Sequence, residues 1–274
     1  MKADGSEFDA VAADYNRHRG TYPDALVDAA CGRGGLTAGS RVLEIGCGTG
    51  QLTEALARRG LVVEAVETGA QLVEHARRRL GGDTVRFHLA RFEDVALPEG
   101  AYDAVFSATA FHWIDPSVGW AKAARLLKPA GMLALLQTGV GSPLTPLFHD
   151  MVAAWREVRG AESHWTQLEP FELWDGVRRA QGNVSEAWSL ISRHSLARAG
   201  AADLFDAVQI LGVPTPSEYT ADAYVARTRT TSTYQRLDAK RRSRLEDRIR
   251  QAIERAGGRA CFADWAVLLT AQRR

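Results

Sequence analysis

The sequence is short of cysteine, of net charge and of long apolar runs, and each shortage excludes a class of protein. Three cysteines stand among 274 residues. Cys31, Cys47 and Cys261 cannot all pair with one another and show no metal-ligand spacing. Neither a disulfide framework nor a metal site is expected, and a reducing compartment is. The formal net charge of +1 leaves no global field for nucleic acid or an anionic membrane. No apolar run approaches the roughly 20 residues of a membrane span. The opening Met1-Lys2-Ala3-Asp4-Gly5-Ser6-Glu7 lacks the apolar core of a signal peptide, so a cytoplasmic location is expected. Repeats and low-complexity segments are also missing. The remaining composition, 46% hydrophobic and 24% charged, is that of an ordinary globular chain.

What is present is organised around Val42-Leu43-Glu44-Ile45-Gly46-Cys47-Gly48-Thr49-Gly50. The run begins as a buried strand and ends in a glycine turn. Gln51, Leu52, Ala55 and Leu56 continue it as a helix with one apolar side. A strand that passes through glycines into a helix brings backbone N–H groups and a helix N-terminus to a ligand. A Cβ at the glycines would block that approach or forbid positive φ. The spacing Gly-x-Gly-x-Gly differs from the dinucleotide fingerprint, whose third glycine falls one place later, where Gln51 stands. A nicotinamide dehydrogenase is thereby disfavoured. The carboxylate of Glu44, two residues before the first glycine, gives nothing to a loop facing a pyrophosphate. It serves a loop facing a positively charged amino group.

The rest of the first half alternates strand and helix. Leu61 to Glu67 reads as the second strand, and Glu67 closes it about 20 residues after the loop, where an acid can accept hydrogen bonds from both hydroxyls of a ribose. Helices follow over 71–80 and 117–127, and strands over 85–89, 102–107 and 132–137. His88, in the middle of the third strand, reads as a packing or surface residue. Five strands alternating with helices predict a mostly parallel sheet, with a ligand crevice at the end of the fourth strand. That end runs into Ala108-Thr109-Ala110-Phe111-His112-Trp113-Ile114-Asp115-Pro116.

The Glu-x-Gly-x-Gly-x-Gly pattern of residues 44–50 resembles motif I of the class I S-adenosylmethionine (SAM) dependent methyltransferases. Tyr15-x-x-x-Arg19-x-x-Tyr22-Pro23 and the run Phe111-His112-Trp113-Ile114-Asp115 are similar to small-molecule members of the trans-aconitate methyltransferase type. The resemblance implies an α/β, Rossmann-like, seven-stranded, mostly parallel sheet with a helical lid inserted after the fifth strand. It implies transfer of a methyl group from SAM to an oxygen, nitrogen or carbon of a small molecule, leaving S-adenosylhomocysteine (SAH). Cofactor contacts are implied at Tyr15, Arg19, Glu44, Gly46, Cys47, Gly48, Gln51, Glu67, Thr68, Phe92, Glu93 and Thr109. Glu44 and the loop would hold the methionine part and Glu67 the ribose. Phe92 would cover the adenine, with Glu93 or Asp94 accepting from its amine. Arg91 stands where the family often has that acid, and arginine has no acceptor. Tyr22, Phe111, His112 and Trp113 would surround the acceptor. His112 stands as a base titrating near neutrality or as an orienting residue, since methyl transfer from a sulfonium needs mainly alignment. The Asn/Asp-Pro-Pro-aromatic motif of base-methylating enzymes is missing, as is the acid that would hold magnesium in a catechol-type enzyme. The same binding loop would also suit a SAM enzyme doing cyclisation or aminocarboxypropyl transfer, or a non-catalytic ligand-binding module.

Beyond residue 138 the pattern changes. Residues 1–138 form the expected SAM-binding core with an N-terminal covering segment. Residues 139–202 show no strand and hold Trp155, Trp165, Trp174 and Trp188. They read as a helical lid, with Trp155 and Trp165 lining the substrate pocket or packing the lid onto the core. His149, His164 and His194 are too scattered for a metal site. Residues 203–274 are expected to return to the sheet, with strands over 208–213 and 262–271 and helices over 221–231 and 238–256. Lys240-Arg241-Arg242 reads as a solvated helix face, not a nucleic-acid patch. The expected partner is a small molecule, and the choice between monomer and homodimer stays open.

Overall fold

The computed structural model describes residues 21–80, 84–140, 145–159, 170–180, 182–192 and 201–274. A seven-stranded sheet runs through it in the order β3-β2-β1-β4-β5-β9-β6. The strands are β1 (Arg41–Ile45), β2 (Val62–Glu67), β3 (Val85–Leu89), β4 (Tyr102–Ala108), β5 (Leu127–Val140), β6 (Phe205–Pro214) and β9 (Trp265–Arg273). The first five pair in parallel, and β9 runs antiparallel between β5 and β6. The reversal of strand order lies between β1 and β4, with connections leaving on opposite sides, so a crevice opens at their C-terminal ends. β1 is central, which is why four of its five residues are buried and it reads as a continuous apolar run.

Alternate residues of each strand face two cores. On one side Val42, Val63, Ala104, Phe106, Ala134 and Leu136 meet α1 (Asp24–Arg33) and α2 (Gln51–Ala57) through Leu26, Ala30, Leu52 and Leu56. The helix α3 (Ala70–Arg79) packs beside β2 and β3. On the other side Leu43, Ile45, Val105, Leu133 and Leu135 meet α4 (Pro116–Leu126) through Trp120 and Ala123. Asp115 caps α4 by accepting from the Ser117 N–H at 3.0 Å, and Pro116 occupies the first turn, where its missing N–H costs nothing.

The segment expected as one lid divides between two layers. The helix α5 (Pro146–Arg159) packs away from the sheet. The helices α6 (Pro170–Arg179) and α7 (Val184–Ser192) lie on the α4 face of the sheet, where Val177, Val184, Trp188 and Ile191 join the core. Trp174 meets Trp265 edge-on at 5.7 Å, and both rings close on Gly212, leaving no room there for a Cβ. The C-terminal stretch also divides. The short α8 (Ala201–Leu204) leads into β6, and only β6 and β9 enter the sheet. Between them, β7 (Ser217–Thr220), α9 (Ala221–Arg229), α10 (Ser232–Gln235), α11 (Ala239–Arg255) and β8 (Arg259–Phe262) build a second layer with α5. The predicted final strand over 262–271 is therefore two strands. Phe262 ends β8 against Ser217, and β9 starts at Trp265. An apolar run cannot reveal a break when both of its halves are strand.

This accessory layer has its own core, in which Met151, Trp155 and Val158 of α5 pack against Leu245, Ile249 and Ile253 of α11. The arginines of α11 are its clamps. Arg248 pairs with Glu157 at 2.8 Å and Arg255 with Asp150 at 2.8 Å, while Arg244 also reaches Glu157. Arg229 and Glu246 form a two-pronged pair with the Tyr234 hydroxyl, which holds the Glu246 carboxyl down at about 2. Of the run 240–242, Lys240 and Arg241 are exposed, Arg241 pairs with Asp238 at 3.5 Å, and Arg242 lies over the Tyr234 ring at 5.3 Å. Among the described residues no helix is long and apolar enough to cross a membrane.

Candidate active site

The turn after β1 is built by its glycines. Gly46, Gly48 and Gly50 all have positive φ, at +71°, +56° and +87°. A Cβ at Gly46 would overlap the Cβ of Ala110, so only glycine lets the loop close on the segment after β4. The Gly46 N–H donates to Val66 O at 2.8 Å and the Cys47 N–H to the same oxygen at 3.3 Å, which fixes the loop to the end of β2. Cys47 is buried. That burial, then Glu44 and Glu67, raises its thiol well above the ordinary range, so it stays a neutral packing group.

Two acids flank this loop. Glu44 is 1% exposed, and the Thr53 hydroxyl donates to its Oε2 at 2.6 Å. Burial raises its pKa to about 7; the Thr53 hydrogen bond opposes the rise and Glu67 adds to it. No cation pairs with Glu44 among the described residues. Glu67 ends β2 and gathers backbone donors. Gly48 N–H reaches Oε2 at 2.8 Å, while Thr68 and Gly69 N–H reach Oε1 at 2.7 and 3.0 Å. With Oε1 so occupied, Oε2 keeps the spare acceptor position. Gln51, at the start of α2, buries an Nε2 with no hydrogen-bond partner among the described residues. A buried carboxylate without a cation and a buried amide without an acceptor, on one glycine loop, suit a ligand carrying both an ammonium and a carboxylate.

Across the crevice, Thr109 follows β4 with φ +52°, a conformation rare for a β-branched residue. It is held by its N–H on Leu136 O at 2.8 Å and by a 3.0 Å hydrogen bond between its hydroxyl and that of Tyr22. Phe111 turns inward onto Trp120, with ring centroids 4.7 Å apart. The His112 and Trp113 rings stand 5.1 Å apart, and Arg236 of the accessory layer lies 5.7 Å over the Trp113 ring. The accessory layer thus reaches the switch segment.

Several expected contacts are corrected by packing. Phe92 is 2% exposed inside the α4-side core, under the Lys122 ammonium at 5.2 Å, so its ring has no face left to cover a base. Glu93 accepts from the Asp115 N–H at 3.0 Å and pairs with Arg91 at 3.4 Å, which ties the turn after β3 to the start of α4. Arg91 also faces Asp94 at 3.9 Å, so the arginine that stood in an acid's place is matched by its own neighbours. Trp155 is buried in the core of the accessory layer, not in a pocket wall. His88 hydrogen-bonds Glu64 at 2.9 Å on the sheet, away from chemistry. Glu44, Gly46, Cys47, Gly48, Gln51, Glu67 and Thr68 do come together around one loop. Thr109, His112 and Trp113 form the facing wall, with Tyr22 beside them, whereas Phe111, expected at the acceptor, is 2% exposed in the α4-side core against Trp120. Tyr15, Arg19 and Trp165 lie outside the described residues. Thr53 and Arg236 escaped the sequence reading. Thr53 sits on the inward side of α2 nine residues after Glu44, a signal open to inspection; nothing local marks Arg236.

Residues 43–135 match the family profile described as a methyltransferase domain. A ubiquinone biosynthesis O-methyltransferase of Xanthomonas oryzae is 33% identical over 161 residues, which cover 56% of this chain and 67% of that protein. The chain belongs to the SAM-dependent methyltransferases. An uncharacterized methyltransferase of Mycobacterium tuberculosis is 36% identical over 129 residues, 47% of this chain and 51% of its own, so the chain spans about half the length of such relatives. In fold, this methyltransferase is similar to phosphoethanolamine N-methyltransferase 2 of Haemonchus contortus, solved with SAH. The TM-score is 0.51 at 15% identity, over 97% of this chain and 57% of that one. The trans-aconitate-type likeness has no counterpart among these relatives.

Proposed function

We propose that this methyltransferase moves a methyl group from SAM to a small-molecule acceptor by in-line displacement. The observation that carries the reading is the pair of buried acids flanking the glycine loop, Glu44 without a cation among the described residues and Glu67 with a spare acceptor position at Oε2. Glu44, assisted by Thr53, receives the ammonium of the methionine part, and the Gln51 amide donates to its carboxylate. Glu67 accepts from the ribose hydroxyls. Bound SAM supplies a methyl group on a positively charged sulfur, an electrophile that needs no further activation. The protein's share is alignment and exclusion of water. Thr109, His112 and Trp113 set the facing wall, and Arg236 of the accessory layer lies over the Trp113 ring. His112 orients the acceptor or takes its proton. A small acceptor agrees with the Xanthomonas relative, whose name places it in ubiquinone biosynthesis.

The test is a calorimetric titration of SAM and SAH into the wild type and Glu67→Gln. The amide keeps an oxygen for the Thr68 and Gly69 N–H groups that Oε1 collects, which an alanine would orphan, and puts an NH2 in place of Oε2. Affinity should fall about tenfold or more, as expected for the loss of a charge-assisted acceptor. Unchanged affinity, or no binding by folded wild type, would overturn the proposed cofactor site.

A further inference from the structure

One carboxamide at the end of β5, that of Gln137, has an oxygen without a hydrogen-bond partner among the described residues. The strand β5 neighbours the switch segment, and the Thr109 N–H on Leu136 O sets Gln137 level with the start of that segment. Leu133 and Leu135 lie in the core that holds Phe111 and Val267. The two-residue alternation puts Gln137 on that same face, at its C-terminal limit, with Val267 opposite. Beyond Gln137 the ladder slips. The next pair is Val140 with Trp265, and Gly139 between them has φ +69°. Such irregularities sit beside sites because they re-aim the chain.

The Gln137 Oε1 is buried and has no hydrogen-bond partner among the described residues. Its Nε2 donates to Thr138 O at 3.4 Å, the weak limit of a hydrogen bond. That contact fixes which atom is left over, since turning the carboxamide would set two oxygens against each other. A buried carbonyl without a donor is rare and costly, and here it lies at the C-terminal end of β5, level with the start of the segment that follows β4. A carboxamide oxygen only accepts, so the group that completes it carries an N–H or O–H.

We infer that Gln137 orients the methyl acceptor by accepting a hydrogen bond from its nucleophilic atom, and that this atom is accordingly a protonated heteroatom, a hydroxyl or an amine. The inference rests on the methyl-transfer reading. The hydrogen bond to Oε1 fixes the rotation of the heteroatom and aims its lone pair. That lone pair forms the bond to the methyl carbon, the carbon–sulfur pair stays on sulfur, and the heteroatom's proton passes to His112 or, once the product leaves, to solvent. Gln137, being neutral, holds the proton in place without taking it.

The experiment uses phenol and toluene, probes of one shape that differ by a single O–H. Each is titrated against the wild type, Gln137→Met and Gln137→Glu, with and without saturating SAH. The phenol-to-toluene affinity ratio should fall about tenfold in Gln137→Met, which keeps the volume and loses the acceptor, and should persist in Gln137→Glu. SAH affinity should stay within about twofold in both variants, which shows that they are folded. A ratio unchanged in Gln137→Met, or wild type that binds no phenol, overturns the assignment. A protein that takes no SAH at all sinks the methyl-transfer reading instead, and the ratio measured without SAH still decides Gln137.

Discussion

Glu44 offers the sharpest test because one side chain is asked to serve function against stability. Its carboxyl is buried, and its pKa moves from an ordinary 4.5 to about 7. A carboxyl whose folded pKa lies above its unfolded value binds its proton more tightly in the folded state. The folded state is therefore favoured most below about pH 4.5, and this contribution is lost as pH rises through about 7. A tenfold change in proton affinity is about 1.4 kcal/mol, so the loss across that window is about 3 kcal/mol. Glu44→Gln removes the titration and keeps an oxygen for the Thr53 hydroxyl. Its new amide N–H group is itself buried, at a cost of about 1–2 kcal/mol at every pH. The variant should thus be less stable than wild type at pH 5 by up to about 1 kcal/mol and more stable at pH 8 by about 1–2 kcal/mol. Urea unfolding of both proteins at half-unit steps from pH 5 to 8 reads the difference directly. The absolute values matter less than the slope between them. Parallel curves, with a difference that changes by under about 1 kcal/mol over the range, would refute the claim that burial charges a stability cost to this carboxylate. In the same buffers, SAM affinity of the wild type should rise with pH through about 7, as the carboxylate forms, and the variant should lack that rise.

Two further outcomes separate the loop from the layer above it. Gly46→Ala forces a Cβ onto Ala110 at a φ of +71°, so thermal unfolding should show a loss of about 2–4 kcal/mol, and SAH binding should drop at least about tenfold. Trp155→Ala empties the core shared by α5 and α11, at a cost of about 3–5 kcal/mol. Hydrogen exchange should place that loss in residues 146–159 and 217–262, with SAH affinity within about twofold of wild type; a large loss of SAH affinity would mean that the tryptophan contacts the cofactor site after all.

The part of the site legible in the sequence is the part made by neighbours along the chain. Strand, glycine turn and helix follow one another within residues 41–57, and their chemistry is read from period, φ requirement and the placing of Glu44. Glu67 was legible for a similar reason. One crossover of ordinary length returns the second strand beside the first, so its end must lie next to the loop. The five alternating strands and the mostly parallel sheet came with it. Other features depend on which faces meet. Phe92 looked like a lid for a ring because its position in the chain was right, but the approach of α4 and Lys122 made it core. Glu93 holds the Asp115 N–H on its Oε1, a partner 22 residues away. An amphipathic helix says that it has an apolar face, not what will cover it. So α5 went to the accessory layer and α7 to the sheet, though both carry a tryptophan in the same insertion. The unpaired oxygen of Gln137 belongs to the same class, since an unmet hydrogen bond is a property of the surroundings and no residue carries it alone. Sequence by itself determined the loop, its two acids and the sheet that presents them, because those follow from local conformation and short crossovers. Tertiary structure alone decided what faces the crevice, because that depends on long-range packing of surfaces whose partners the chain does not name.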